Sequence, residues 1–248
     1  MIELRGVAKS YGKNEVLRDA TLAVRRGEVL VIMGGSGTGK SVTIRHMLGL
    51  ERPDAGEVYI DGEEISHYRE YQLHEIRMKF GMLFQSGGLF DSMTVFENVA
   101  FPLREHSDTP EEELARRVEE ALEMVQLPDS GHLMPVDLSG GMRKRVGLAR
   151  AIVHRPEVIL YDEPTTGLDP ITADKINELI VNLQRQLEVT SIVVTHDIQS
   201  AFYVGDRIAF LRNGIFEWVG TMDEARGATH PLLRQFLVTS NVASAQPL

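Results

Sequence analysis

Gly34-Gly35-Ser36-Gly37-Thr38-Gly39-Lys40-Ser41 is a run of absent, small or anion-binding side chains. Gly34 followed by Gly39-Lys40-Ser41 has the spacing of a phosphate-binding loop. Glycines let the backbone curl until successive N–H groups point inward, and a helix starting at the end of the loop adds its positive dipole end. Lys40 would then reach the β- and γ-phosphates of a nucleotide, and the Ser41 hydroxyl would supply an oxygen to Mg²⁺. The apolar run Val29–Met33 reads as a buried strand before the loop, and Val42–Leu48 as the helix after it. Gly35, Ser36, Gly37, Thr38 and Val42 complete the phosphate-binding set. A Gly-rich turn that binds nothing would need neither the lysine nor the serine. Alone, however, the motif says only nucleotide phosphate.

A second chemical signal closes the apolar run Val158-Ile159-Leu160-Tyr161, which ends in Asp162-Glu163. An aspartate at the C-terminal end of a buried strand is placed to hold Mg²⁺, through water. Strand alternation turns the next side chain elsewhere, so Glu163 could polarise an attacking water as general base. Paired acids also suit a solvated strand end; the phosphate loop upstream favours the metal reading. A third signal is Leu138-Ser139-Gly140-Gly141-Met142, ahead of a helix from Arg143 to Val153. A serine and two glycines at a helix start make another anion-binding terminus. One nucleotide does not need two cradles on one chain, so the second is read as serving a nucleotide held by a partner copy.

With these residues in view, the chain resembles the ABC ATPase family: Leu138–Met142 is similar to its LSGGQ signature. The resemblance, which runs roughly from Ile2 to Gly220, implies further roles. Tyr11 stands where an aromatic stacks on adenine. Gln85 matches the glutamine that links Mg²⁺ and water to the helical subdomain. Gly167-Leu168-Asp169 matches the loop at the dimer seam, and His196 the histidine that contacts the γ-phosphate. The catalytic set is then Glu163, His196, Lys40 and Gln85, the metal set Ser41, Gln85 and Asp162, and the nucleotide contacts include Tyr11, Ser139, Gly140, Gly141 and Asp169. Met142 departs from the family glutamine, which removes any contact made by that amide. LSGGM, Leu83–Phe90 and Pro102–His106 are together similar to ATPase subunits of Mla/MCE lipid transport systems. That likeness implies a permease and an MCE-domain substrate-binding protein as partners, and lipid or phospholipid as cargo.

The elements that must position these residues are legible as patterns. Continuous apolar runs at Val29–Met33, Val158–Tyr161 and Ile192–Val194 suggest strands buried on both faces, as in a parallel sheet covered by helices. Ile2–Leu4 and Val58–Ile60 read as short antiparallel strands, and Ile208–Leu211, Asn213-Gly214 and Ile215-Phe216 as a hairpin. Leu114, Val118, Ala121, Leu122 and Val125 recur at helical spacing. The expected fold is α/β: a RecA-like P-loop NTPase parallel-sheet core, a small antiparallel β subdomain and a helical subdomain inserted at about 86–156. The ATPase domain would occupy 1–227. The tail 228–248, with an apolar helix at Pro231–Leu237, would offer a subunit contact.

Composition removes other classes. A net charge of −10 is wrong for wrapping nucleic acid. The absence of cysteine excludes disulfides and thiolate metal sites. No signal peptide opens the chain, and no apolar run approaches the roughly 20 residues a bilayer requires. Another chain must therefore do any spanning, and this one would be a homodimer with composite ATP sites, peripheral on the cytoplasmic face of the inner membrane. Cargo other than lipid, such as amino acids, is the nearest alternative. A ribosome- or DNA-directed ABC switch protein fits poorly, having neither paired domains nor long heptads here. A plain P-loop kinase or GTPase lacks use for the signature and His196. Phe90, Met93, Val95 and Phe96 suit either docking of the membrane partner or packing of the helical subdomain, and Arg143-Lys144-Arg145 a solvated first helical turn.

Overall fold

A computed structural model describes residues 1–227 and Arg234; the predicted helix at Pro231–Leu237 lies outside the described residues. In chain order the elements are β1 (Ile2–Tyr11), β2 (Asn14–Val24), β3 (Val29–Met33), α1 (Lys40–Met47), β4 (Ala55–Ile60), β5 (Glu63–Glu64), α2 (Glu70–Met78), β6 (Phe80–Leu83), α3 (Val95–His106), α4 (Glu111–Met124), α5 (Gly140–Ile152), β7 (Val158–Asp162), α6 (Pro170–Leu187), β8 (Thr190–Thr195), α7 (Ile198–Val204), β9 (Arg207–Arg212), β10 (Ile215–Thr221) and α8 (Met222–Arg226). The chain divides into two compact units, Met1–Arg77 with Ile192 onward, and Met78–Ser191.

The first unit holds a four-stranded antiparallel sheet in the order β2-β1-β4-β5. Its inward side chains include Ile2, Leu4, Val7, Leu17, Ala20, Leu22, Val58 and Ile60, all essentially buried. β1 is longer than its apolar start suggests, because register shifts after Leu4 and Val7 let it continue to Tyr11 against β2. The unit also carries strands in the order β10-β9-β3-β8. β3 and β9 are parallel, with Leu30 opposite Arg207 and Met33 opposite Phe210. Both β3 and β8 are buried along their whole length, as continuous apolar runs require. Asn213 and Gly214 take φ of 49° and 76° in the hairpin between β9 and β10, which their sequence favours.

In the second unit β6 and β7 pair in parallel, Phe80 opposite Val158 and Leu83 opposite Tyr161. Gly81 on β6 is where α5 comes closest: a Cβ there would lie 2.1 Å from the Ala151 carbonyl. α3 opens with a capping box in which Thr94 and Glu97 exchange bonds. α4 buries Leu114, Val118, Ala121 and Leu122 and leaves its glutamates outside. The helices α3, α4 and α5 fall within the stretch read as a helical insertion.

Candidate functional site

In the first unit the glycine loop joins β3 to α1 and is built for close approach. Gly37 and Gly39 have φ of 75° and 103°, values that side-chain-bearing residues rarely take. A Cβ on Gly34 would sit 2.4 Å from the Leu211 carbonyl and 2.7 Å from Thr38 Oγ1. A Cβ on Gly37 would meet nothing within 4 Å, so that face of the loop is open. The Lys40 ammonium spans the loop, donating to the carbonyls of Gly34 and Gly35 at 3.0 Å each. Thr38 Oγ1 donates to the Gly35 carbonyl at 2.9 Å, closing the turn. Ser41 and Val42 follow in the first turn of α1, whose N-cap is Gly39 without a side-chain cap, leaving the amides of that turn to an anion.

Tyr11 ends β1 half-exposed at 43%. Its hydroxyl donates to the Glu51 carboxylate, and the Lys9 ammonium lies 5.7 Å from the ring centroid. Desolvation and the Glu51 carboxylate push the Tyr11 phenol up to about 12. Glu51 is tied to α1 in turn, since its carbonyl is 2.8 Å from His46 Nδ1. His196 follows β8 directly and is exposed. Asp197 next to it caps α7, accepting the Gln199 amide at 3.0 Å.

The second unit carries the carboxylates. Asp162 ends β7 partly exposed. The expected strand alternation stops there: Glu163 has φ 49° and only 9% of it is exposed. A left-handed turn, rather than pleating, sets the direction of its side chain. Thr166 Oγ1 donates to the Glu163 carboxylate at 3.1 Å. Gln85 lies exposed just past β6. Ser139 is the N-cap of α5, its hydroxyl accepting the Met142 amide at 3.3 Å. Ser139 and Gly140 are exposed, whereas Gly141 is buried. A Cβ on Gly141 would sit 2.5 Å from Thr172 Cγ2, so this glycine also lets α5 and α6 approach. Asp169 caps α6, accepting the Thr172 amide at 3.1 Å. Those Thr172 bonds hold its carboxyl below the usual range.

One reading of the sequence needs correction. Lys144 is not solvated: it is 4% exposed, and its ammonium donates to the Glu163 carbonyl at 3.1 Å. Its spacing from Gly141 and Leu148, three and four residues away on one helix face, carried that signal. Of the four residues read either as a docking border or as packing of the helical subdomain, Phe90 lines an apolar groove. That groove, of about 510 Å³, is formed by Phe84, Ser86, Gly88, Phe90, Phe101, Pro102, His106 and Arg150. Val95 is fully buried, and Phe96 lines a separate hollow with Glu119 and Asp129. The Arg150 guanidinium sits 5.7 Å from the Phe90 ring and donates to the Gly87 carbonyl at 3.3 Å.

Ser41 carries a hydroxyl, Gln85 an amide oxygen and Asp162 a carboxylate, each by itself a hard oxygen donor of the type Mg²⁺ prefers. The glycine cradle fits the triphosphate to which that ion binds. No group of three or more His, Cys, Asp or Glu that could hold a metal ion occurs among the described residues. Nor is any helix among them long and apolar enough to cross a membrane.

Residues 17–166 match the family described as ABC transporter. The "Probable ribonucleotide transport ATP-binding protein mkl" of Mycobacterium leprae is 42% identical over 236 residues, 95% of this chain and 68% of the relative. The "Methionine import ATP-binding protein MetN" of Carboxydothermus hydrogenoformans is 40% identical over 243 residues, 96% of this chain and 72% of the relative. Among solved structures, the "Dimeric structure of a post-hydrolysis state of the ATP-binding cassette MJ0796 bound to ADP and Pi" superposes with a TM-score of 0.82 at 36% identity, covering 90% of this chain and 99% of that one.

Proposed function

We propose, from the premise that this chain belongs to the ABC transporter family as an ATP-binding, ATP-hydrolysing subunit, that it powers lipid transport in an MCE-type system. One observation carries the finer part of this reading. The two segments whose wording resembles lipid-system ATPases, Leu83–Phe90 and Pro102–His106, supply six of the eight residues that line the apolar groove. Cargo-system likeness is thus concentrated where a membrane chain would dock. An apolar concavity of this size, holding a buried arginine, suits the cytoplasmic end of a permease. The relatives named for ribonucleotide and methionine transport mark the competing cargoes.

In the reaction, Tyr11 stacks on adenine, and the loop amides with Lys40 hold the phosphates. Ser41, Asp162 and Gln85 would hold Mg²⁺, which would supply charge neutralisation at the phosphates. Glu163 accepts the proton of the attacking water and His196 contacts the γ-phosphate. Ser139, Gly140 and Gly141 cover the γ-phosphate held by a second copy, with Asp169 at the seam, so turnover requires a homodimer. The chain works peripherally at the cytoplasmic face of the inner membrane, with a permease and an MCE-domain protein as partners.

Two experiments test this. Glu163→Gln is expected to cut ATP turnover by about 10²- to 10⁴-fold while ATP still binds; unchanged turnover would remove Glu163 as the base. Purification from native membranes in mild detergent, with mass spectrometry of bound proteins and lipids, tests the cargo. A permease with an MCE-domain protein and phospholipid supports lipid transport. A permease with an amino-acid-type binding protein overturns the lipid reading and leaves the ATPase standing.

A further inference from the structure

Lys144 carries a charge on a side chain almost wholly out of water, and its hydrogen-bonding ammonium is directed at one peptide. Burial pushes the ammonium down, and the nearby Asp162 and Glu163 carboxylates pull it back up. The Glu163 carbonyl that it grips at 3.1 Å also accepts the Thr166 amide at 3.3 Å. Thr166 then returns its hydroxyl to the Glu163 carboxylate at 3.1 Å. Glu163 is thus held at both ends in a left-handed conformation, φ 49°, that a glutamate does not favour. A cation on a carbonyl is a stronger tie than a neutral donor.

The geometry points to Lys144 as a positioning residue for ATP hydrolysis: it fixes the Glu163 peptide so that the turn, with Thr166, aims the carboxylate. This deepens the assignment of Glu163 as general base and rests on it. The role belongs to the ammonium as a donor, and a packing role alone would not distinguish it from an apolar chain of the same length.

The test compares Lys144→Met, Lys144→Arg and Glu163→Gln with the unaltered chain, reading kcat, KM for ATP and thermal midpoint. Lys144→Met is expected to lower kcat about 10- to 100-fold with KM held within about twofold, because a misaimed group costs rate rather than binding. Lys144→Arg, which keeps a charged donor, is expected to recover most of the rate. If Lys144→Met does not fold, Lys144→Leu, which likewise has no donor, takes its place in the same comparison. Turnover surviving in Glu163→Gln would bring down the base assignment and this inference with it. Glu163→Gln inactive beside Lys144→Met at full rate would bring down the inference alone. So would a loss of kcat that merely follows the loss of folded protein and that arginine does not restore.

Discussion

Asn98 and Phe90 are bonded in both directions: the Phe90 amide donates to Asn98 Oδ1 at 2.8 Å, and Asn98 Nδ2 donates to the Phe90 carbonyl at 3.1 Å. Asn98 Nδ2 also donates to the carbonyls of Met93 and Thr94, at 3.0 Å each, from a side chain with no exposure. One buried residue of α3 therefore holds the whole loop that presents Phe90 to the groove. Asn98→Ala leaves several backbone groups unsatisfied and is expected to cost about 2–4 kcal/mol, read as a lower urea midpoint at unchanged slope.

Phe90→Glu leaves that loop bonded and changes only the groove surface. It is expected to abolish co-purification with the membrane partner while ATP turnover of the isolated chain stays within about twofold. Retained co-purification would place the docking surface elsewhere.

Tyr11→Ala removes the proposed stacking face, so KM for ATP should rise roughly 5- to 100-fold at little change in kcat, from about 1–3 kcal/mol per stacked base. Inhibition by inorganic tripolyphosphate, which has no base, should not move. Equal losses for both ligands would show that the substitution had disturbed the loop rather than the stack.

His46 and His154 are both held below the ordinary histidine range by burial. Their outer nitrogens, His46 Nε2 and His154 Nδ1, are buried without a hydrogen-bond partner, so a proton there would have no acceptor. The unfolded chain takes up protons at both below about pH 6.5, while the folded chain resists. Stability is therefore fully present above that pH and is lost as the pH falls, by at most about 1.4 kcal/mol per pH unit for each group. Urea midpoints from pH 7.5 to 5 check the slope. Carboxylates held low by partners, such as Glu113 at about 2, act only in more acid solution.

The core strands were legible because β3, β7 and β8 are continuous apolar runs, which only a twice-covered strand tolerates. β2 was not, since Asn14, Glu15, Arg18 and Asp19 face water and break the pattern of its buried positions. The glycine loop and the signature could be read because phosphate chemistry fixes both residue type and spacing. Asn98 and Arg150 went unread because a polar side chain gives no sign in sequence that it is bonded to a distant peptide, and the spacing of Lys144 signalled its burial but not its bond to the Glu163 carbonyl. Gly141 showed the opposite limit, since its motif identity hid a second duty against Thr172.

The left-handed Glu163 has an evolutionary corollary. Its backbone costs about 1–2 kcal/mol relative to a residue at ease there, and glycine or asparagine would relieve much of that. Either would also remove the carboxylate. Among descendants released from selection for turnover, decay at this position is therefore downhill in folding free energy. Silent cassettes that still fold would then lie within a few nucleotide changes of the working one.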